Sequence, residues 1–268
     1  MGSKLDIVKL DCEERFGLQS SGNMSAGTLP SLVLGILFTT IFYAALSLLK
    51  LHGRSSTAVE MFFPGGAADR TIIPALTVLL AMCALGSLLI KRSKLKMQQR
   101  ALQHLPQGNR NTIEAALHEQ FQNPADFTAP ALLQEQLQLE DQNLTLLEKT
   151  GILDSRIADI ERDSEISFIP VTAQIWAIPV LGFIGTVLGL ARAVGNFGAL
   201  LDAGHGGGFN SVLPQITGGL ATAFETTLIA LVLALILQII SSQQNHAEAR
   251  FISKLKSAIA QRTELPQI

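Results

Sequence analysis

Charge is the scarcest property of this 268-residue sequence, in which Asp, Glu, Lys and Arg together make up 16%, against roughly 25% in soluble domains. With 48% hydrophobic residues beside it, that shortage excludes an ordinary soluble domain and points to a chain that crosses a bilayer several times. Aromatic residues are few, 6%, and the single Trp176 and single Tyr43 suit interface anchoring or packing equally. The two cysteines are Cys12, in a polar stretch, and Cys83, in an apolar run; they are too few and too far apart for a disulfide framework. His104, His118 and His246 have no Cys or second His at ligand spacing, so neither a metal nor another cofactor is expected. A net charge of −2 leaves no basic field for nucleic acid. No nucleophile, base and oxyanion set is present, which argues against an enzyme. The opening "MGSKLDIVKLDCEERFGLQSSG" mixes charges throughout and lacks the apolar core of a signal peptide, so the first apolar run is expected to stay in the mature protein. "AGHGGGF", with His205, neither follows a strand nor ends in Lys-Ser or Lys-Thr, and reads as a flexible loop rather than a phosphate loop.

What the sequence does hold is four apolar stretches of the roughly 20 residues needed to span about 30 Å of hydrocarbon. They run from Pro30 to Leu49, Thr71 to Ile90, Ser167 to Ala191 and Pro214 to Ile240. The expected fold is an all-α membrane protein with four transmembrane helices and a helical insert. Its parts are an N-terminal segment over 1–29, a first hairpin over 30–90, the insert over 91–166, a second hairpin over 167–240 and a C-terminal helix over 241–268. Lys91, Arg92, Lys94, Lys96 and Arg100 follow the second span, whereas the glycine-rich link after the third has no basic residue beyond Arg192 at its edge. The positive-inside rule then places 91–166 and both termini in the cytoplasm. The same basic run reads as a topology anchor that also meets anionic lipid.

The insert, about 75 residues long, is large enough for helices and small for a domain with its own core. Apolar residues fall at helical intervals, at Leu133, Leu137, Leu144 and Leu147 and then Leu153, Ile157 and Ile160. "PQGNRN", "NPADFTAP" and the "TG" at Thr150 are its loop signals. The last insert helix is expected to run on into the third span. The fourth span continues into a polar helix striped by Ala247, Phe251, Leu255 and Ile259.

Inside the membrane, small residues recur at steps of three or four. Gly182, Thr186, Gly189 and Ala193 make one such face, Gly185 and Gly189 form a GxxxG, and Gly219, Ala223, Thr227, Ala230 and Ala234 make another. Such faces permit close helix contact, and packing alone is a sufficient reason for them. An acid, Glu225, and four threonines, Thr217, Thr222, Thr226 and Thr227, lie in the first half of the fourth span. Ionisable groups in hydrocarbon are expensive and usually functional.

"PVLGFIGTVLGL", with Pro179, Gly182, Gly185, Thr186 and Gly189, resembles the start of the penultimate transmembrane helix in the MotA/TolQ/ExbB proton channel family. "GGLATAFETTLIALVLAL", with Gly219, Leu220, Ala223, Thr226 and Thr227, is similar to that family's last helix. The four-span layout matches MotA, whereas TolQ and ExbB have one span fewer. The resemblance implies a ring-forming subunit, commonly of a pentamer, in an ion-motive-force-driven motor or energiser of the bacterial inner membrane. The ring surrounds the single-span helices of a dimeric MotB-, TolR- or ExbD-like partner, which carries the ion-accepting aspartate. Pro179, Gly182, Gly185, Gly189, Gly219, Ala223 and Ala230 would pack around that partner. Thr186 and Thr227 would flank the aspartate, with Thr226, Thr222 and Glu225 completing the ion pathway. Protons, rather than sodium, would be the ion. The membrane potential supplies about 2.3 kcal/mol per charge per 100 mV for such a step.

One departure concerns the acid. TolQ and ExbB commonly carry a glutamate where this chain has Thr222, and Glu225 lies about one turn further on. It stands roughly opposite Thr227 around the helix. Three placements remain open for it: neutral and hydrogen-bonded between subunits with Thr222 and Thr226 as partners, lining a side portal, or near the headgroups. Two other functions fit the composition, namely a non-conducting membrane scaffold and a secondary transporter that uses Glu225.

Overall fold

Backbone hydrogen bonding inside the chain is the only way to carry peptide groups through lipid without large cost, which favours helices for every apolar span. The computed structural model of the chain describes residues 27–52, 59, 61–63, 72–106, 110–121, 127–140, 142–202 and 209–263. The N-terminal segment with Cys12, most of the link between the first two spans, and His205 in the glycine-rich stretch lie outside the described residues.

The helices are α1 (Thr28–Leu51), α2 (Ile73–Gln103), α3 (Arg110–Gln120), α4 (Thr128–Glu140), α5 (Leu146–Asp202) and α6 (Phe209–Thr263), and no strand occurs among the described residues. Helices α1, α2, α5 and α6 are long and apolar enough to cross a membrane. The expected runs from insert to third span, and from fourth span to tail, are single helices of 57 and 55 residues. Two prolines, Pro170 and Pro179, sit inside α5. Because proline has no N–H, the carbonyls of Ile166 and Ile175 lack their α-helical donors.

The break before α5 differs from the one expected. The helix passes through Thr150 and Gly151, and starts instead behind Thr145. A capping box accounts for this: the Thr145 N–H donates to Glu148 Oε2 at 2.8 Å, and the Glu148 N–H donates to Thr145 Oγ1 at 3.4 Å. "TLLE" is the sequence signature of that arrangement, and it outweighs a glycine that has no turn to make. A Cβ added at Gly151 meets nothing within 4 Å. Gly151→Ala is therefore expected to stabilise the chain by about 0.5–1 kcal/mol, read as a raised midpoint in thermal unfolding of the purified protein.

The chain divides into two compact units, one of Met1–Pro30, Ser87–Ile169 and Ser242–Ile268, the other of Ser31–Gly86 and Pro170–Ser241. In the first, the insert does not make a core alone. Leu95, Leu117, Phe121, Phe127, Leu133, Leu137, Leu153 and Ile157 pack with Phe251, Leu255 and Ile259 of α6. The stripe on the tail helix is thus the missing wall of the insert's core. Leu147, expected among the inward positions, is 82% exposed because it falls in the first turn of α5. The Gln98 side chain of α2 accepts from the Thr128 N–H at 2.9 Å and so caps α4.

In the second unit, α1 lies close against α2. A Cβ at Gly86 would come within 3.2 Å of both the Leu34 Cβ and the Ser31 carbonyl oxygen. Small residues similarly set the contact between α5 and α6.

Candidate ion-pathway site

Helices α5 and α6 run antiparallel along a seam of small residues, each glycine facing a specific group. A Cβ added at Gly182 would stand 2.5 Å from the Ala230 Cβ, and one at Gly185 would stand 2.5 Å from Thr226 Oγ1. At Gly189 the obstruction includes backbone: the Gly219 carbonyl oxygen at 2.7 Å and the Ala223 nitrogen at 2.8 Å, beside the Ala223 Cβ at 2.8 Å. Gly219 in turn faces the Gly189 carbonyl oxygen at 3.0 Å and the Ala193 nitrogen at 3.1 Å. The two small faces read from the sequence therefore meet each other within one chain. Pro179 lies half-buried one turn before Gly182.

Thr186 and Thr227 are brought together in the middle of this seam. Their hydroxyls hydrogen-bond to each other. Each also reaches a carbonyl across the seam: Thr186 Oγ1 donates to Ala223 O at 3.1 Å, and Thr227 Oγ1 to Gly182 O at 3.1 Å. Those carbonyls are also the ones each threonine meets four residues back on its own helix, at 3.2 Å from Thr186 to Gly182 and 3.4 Å from Thr227 to Ala223. Thr226 Oγ1 is a third donor to Ala223 O, at 3.0 Å. A hydroxyl has one proton and a carbonyl two lone pairs. Three hydroxyls directed at Ala223 O exceed its capacity, so at least one must turn to another acceptor. The cluster is polar, uncharged and able to re-aim its protons. Both Thr186 and Thr227 are half-buried.

The remaining polar groups of the fourth span separate from this pair. Thr222 is buried and donates to Gly218 O at 2.9 Å, while exposed Thr217 donates to Leu213 O at 3.0 Å. Thr226 likewise reaches Ala223 O three residues back, so within the chain both Thr222 and Thr226 bond to carbonyls of their own helix. Glu225 is half-buried.

A second polar cluster, absent from the sequence reading, lies in the first unit. Lys91 of α2 and Glu248 of α6 form an ion pair at 3.3 Å with side-chain exposures of 0% and 2%. Ser164 of α5 donates to Glu248 Oε2 at 2.8 Å. Lys91 also donates to Ser167 Oγ and stands 3.9 Å above the Phe168 ring. Lys91 and Lys94 are thus buried in protein rather than meeting lipid, and Arg92, Lys96 and Arg100 are the exposed members of the basic run. Burial raises the Glu248 carboxyl above its ordinary range, against the pull of Lys91 and of its hydrogen bonds. Burial lowers the Lys91 ammonium, against the pull of Glu248. Both shifts have the same cause and sense: desolvation outweighs mutual attraction. The signal was available as spacing. Buried polar residues recur at Ser87, Lys91, Lys94 and Gln98 on α2 and at Ser241, Gln244 and Glu248 on α6, at helical intervals of three and four.

A family model described as the MotA/TolQ/ExbB proton channel family matches residues 92–257, which takes in the end of α2, all of α3 to α5 and most of α6. Neither the curated proteins nor the solved structures contain a match to the chain.

Proposed function

The chain belongs to the MotA/TolQ/ExbB proton channel family, and on that premise we propose that it is the ring-forming subunit of a motor or energiser driven by ion-motive force. The family makes it a multi-pass membrane protein of the proton-channel type. In the proposal, several copies, commonly five, surround the single-span helices of a dimeric MotB-, TolR- or ExbD-like partner in the bacterial inner membrane. Both termini and 91–166 face the cytoplasm, in line with the basic cluster after α2.

The observation that carries this reading is the Thr186–Thr227 hydroxyl pair. It offers a partner carboxyl hydrogen-bond donors and acceptors whose direction can reverse, with no fixed charge to trap the ion. A protonated aspartate donates to a threonine oxygen, and an ionised one accepts from a hydroxyl that has swung away from its carbonyl. Alternation between those contacts is the step that turns ring against partner. Protons, rather than sodium, are the ion that membership of a proton channel family favours. Thr226 shares Ala223 O with the pair and belongs to the same pathway. Thr222 and Glu225 lie along the same span, and we assign them to its flank. The small residues Gly182, Gly185, Gly189, Gly219, Ala223 and Ala230 set the seam that holds the pair. Pro179 opens it.

Thr227→Val keeps the side-chain volume and removes the hydroxyl, and Thr227→Ala removes both. Each is expected to lower proton uptake into proteoliposomes holding the purified complex by about tenfold, the worth of one hydrogen bond of roughly 1.4 kcal/mol, with the native mass of the complex unchanged. Full flux in both variants sinks the pathway assignment and leaves the scaffold reading, which needs the small seam but no hydroxyl. A native mass corresponding to five copies of this chain with two of a second chain is the expected composition.

A further inference from the structure

The Lys91–Glu248 cluster has no part in the pathway above, yet it joins three helices and buries a carboxyl almost completely. Glu248 Oε2 has Ser164 at 2.8 Å and Lys91 at 3.3 Å, and its side chain is 2% exposed. Lys91 divides itself among Glu248, the Ser167 hydroxyl and the face of Phe168. Its charge is therefore not given to the carboxylate alone. The other groups turned inward here are Lys94 on α2, whose charge acts on Lys91, and Gln244, one turn before Glu248 on α6. On α5 the residues at the cluster are Ser164, Ser167 and Phe168, none of which carries charge. Glu161, Arg162, Asp163 and Glu165 of α5, and His246 and Arg250 of α6, are exposed.

An ion leaving water for such a site loses several kcal/mol of hydration, and a shared partner repays only part of it. We propose that Glu248 is a proton-binding site of this chain, whose occupancy is coupled to the seating of α2 against α5 and α6 around it. Closing the three helices drives a proton onto the carboxyl, and ionisation of the carboxyl loosens them. Linkage fixes the sign. A carboxyl raised by burial binds a proton more tightly in the closed arrangement, so the closed arrangement is favoured at low pH and loses that advantage as pH rises through the raised value. Lys91, lowered by burial, works in the opposite sense and from the alkaline side. A neutral Glu248 still accepts from Lys91 and from Ser164 through its carbonyl oxygen.

The test uses the full-length chain in lipid nanodiscs and reads amide-exchange protection factors, which are normalised for intrinsic exchange rates, over 88–98 and 241–252 between pH 8 and pH 5. In the wild type, protection is expected to rise by about threefold or more on acidification. Glu248→Gln, which keeps an oxygen for Lys91 and Ser164 without the charge, is expected to be folded, highly protected at pH 8 and flat with pH. Lys91→Met removes the charge that holds the carboxyl down and is expected to move the transition to higher pH. Protection that is constant or falls on acidification in the wild type overturns the proposal. So does a Glu248→Gln chain that keeps the wild-type slope or fails to fold, because the neutral form would then not be the favoured one. The readout involves no ion flux, so its failure leaves the ring reading untouched.

Discussion

Gly189→Val separates α5 from α6 and abolishes assembly of the membrane spans. The first atom beyond the Cα already stands 2.7 Å from the Gly219 carbonyl oxygen and 2.8 Å from the Ala223 nitrogen. Both are backbone atoms of a helix that cannot yield without moving as a body. Two further methyls put the cost at or above the upper end of the roughly 1–3 kcal/mol typical of overpacking. Lipid offers no hydrophobic drive to close the seam again, since association there depends on close contact itself. For the ring proposed above, the expected readout is loss of the oligomer by native mass, with the chain still inserted. Gly182 provides the control. Its obstacle is the Ala230 methyl, so Gly182→Ala is expected to be rescued by Ala230→Gly, which moves one methyl across the seam. No side-chain change rescues Gly189→Val.

Glu248→Lys is expected to have the largest effect outside the membrane spans. It replaces the partner of a fully buried Lys91 by a like charge, with Lys94 buried on the same face of α2. A second ammonium buried there loses several kcal/mol of hydration with no carboxylate to offset it, and repulsion from Lys91 adds to that. The chain is expected not to accumulate in folded form, as seen in the yield of monodisperse protein after extraction. The apolar pair Lys91→Met with Glu248→Leu is expected to fold with stability equal to the wild type or above it by about 1–4 kcal/mol, measured by thermal unfolding. Burial works against both charges, so the exchange removes a desolvation cost together with the attraction.

The four spanning helices were legible because apolar runs of that length have few other uses, and the two long continuous helices followed from the absence of breakers between span and tail. The seam between α5 and α6 was legible as two faces, but not the fact that each face is the other's partner. Periodicity gives a face its direction around one helix and says nothing of what meets it. The family resemblance singles out Thr186 and Thr227 as flanking a partner's aspartate, and the structure adds that their hydroxyls bond to each other and share the carbonyls of Gly182 and Ala223. Glu225 draws attention as an acid in an apolar run, while Thr222 and Thr226 beside it reach backbone oxygens of their own helix. Glu248 went unnoticed for the opposite reason. It stands in a polar tail where an acid is unremarkable, beside Ala247, which was read as part of the apolar stripe. Lys91 was hidden in the same way, among four other cations whose number suggested a surface.

Pro170 and Pro179 are nine residues apart in α5, which at about 100° per residue puts them on opposite sides of the helix axis. Each opens the hydrogen-bond ladder on its own side, so the helix is weakened against bending in two opposed directions about 13 Å apart. Opposed bends of equal size cancel in angle and add in displacement. The segment from Ile166 to Pro179 can therefore shift its two ends sideways while keeping them parallel, a movement that an unbroken helix resists and that tilts neither end.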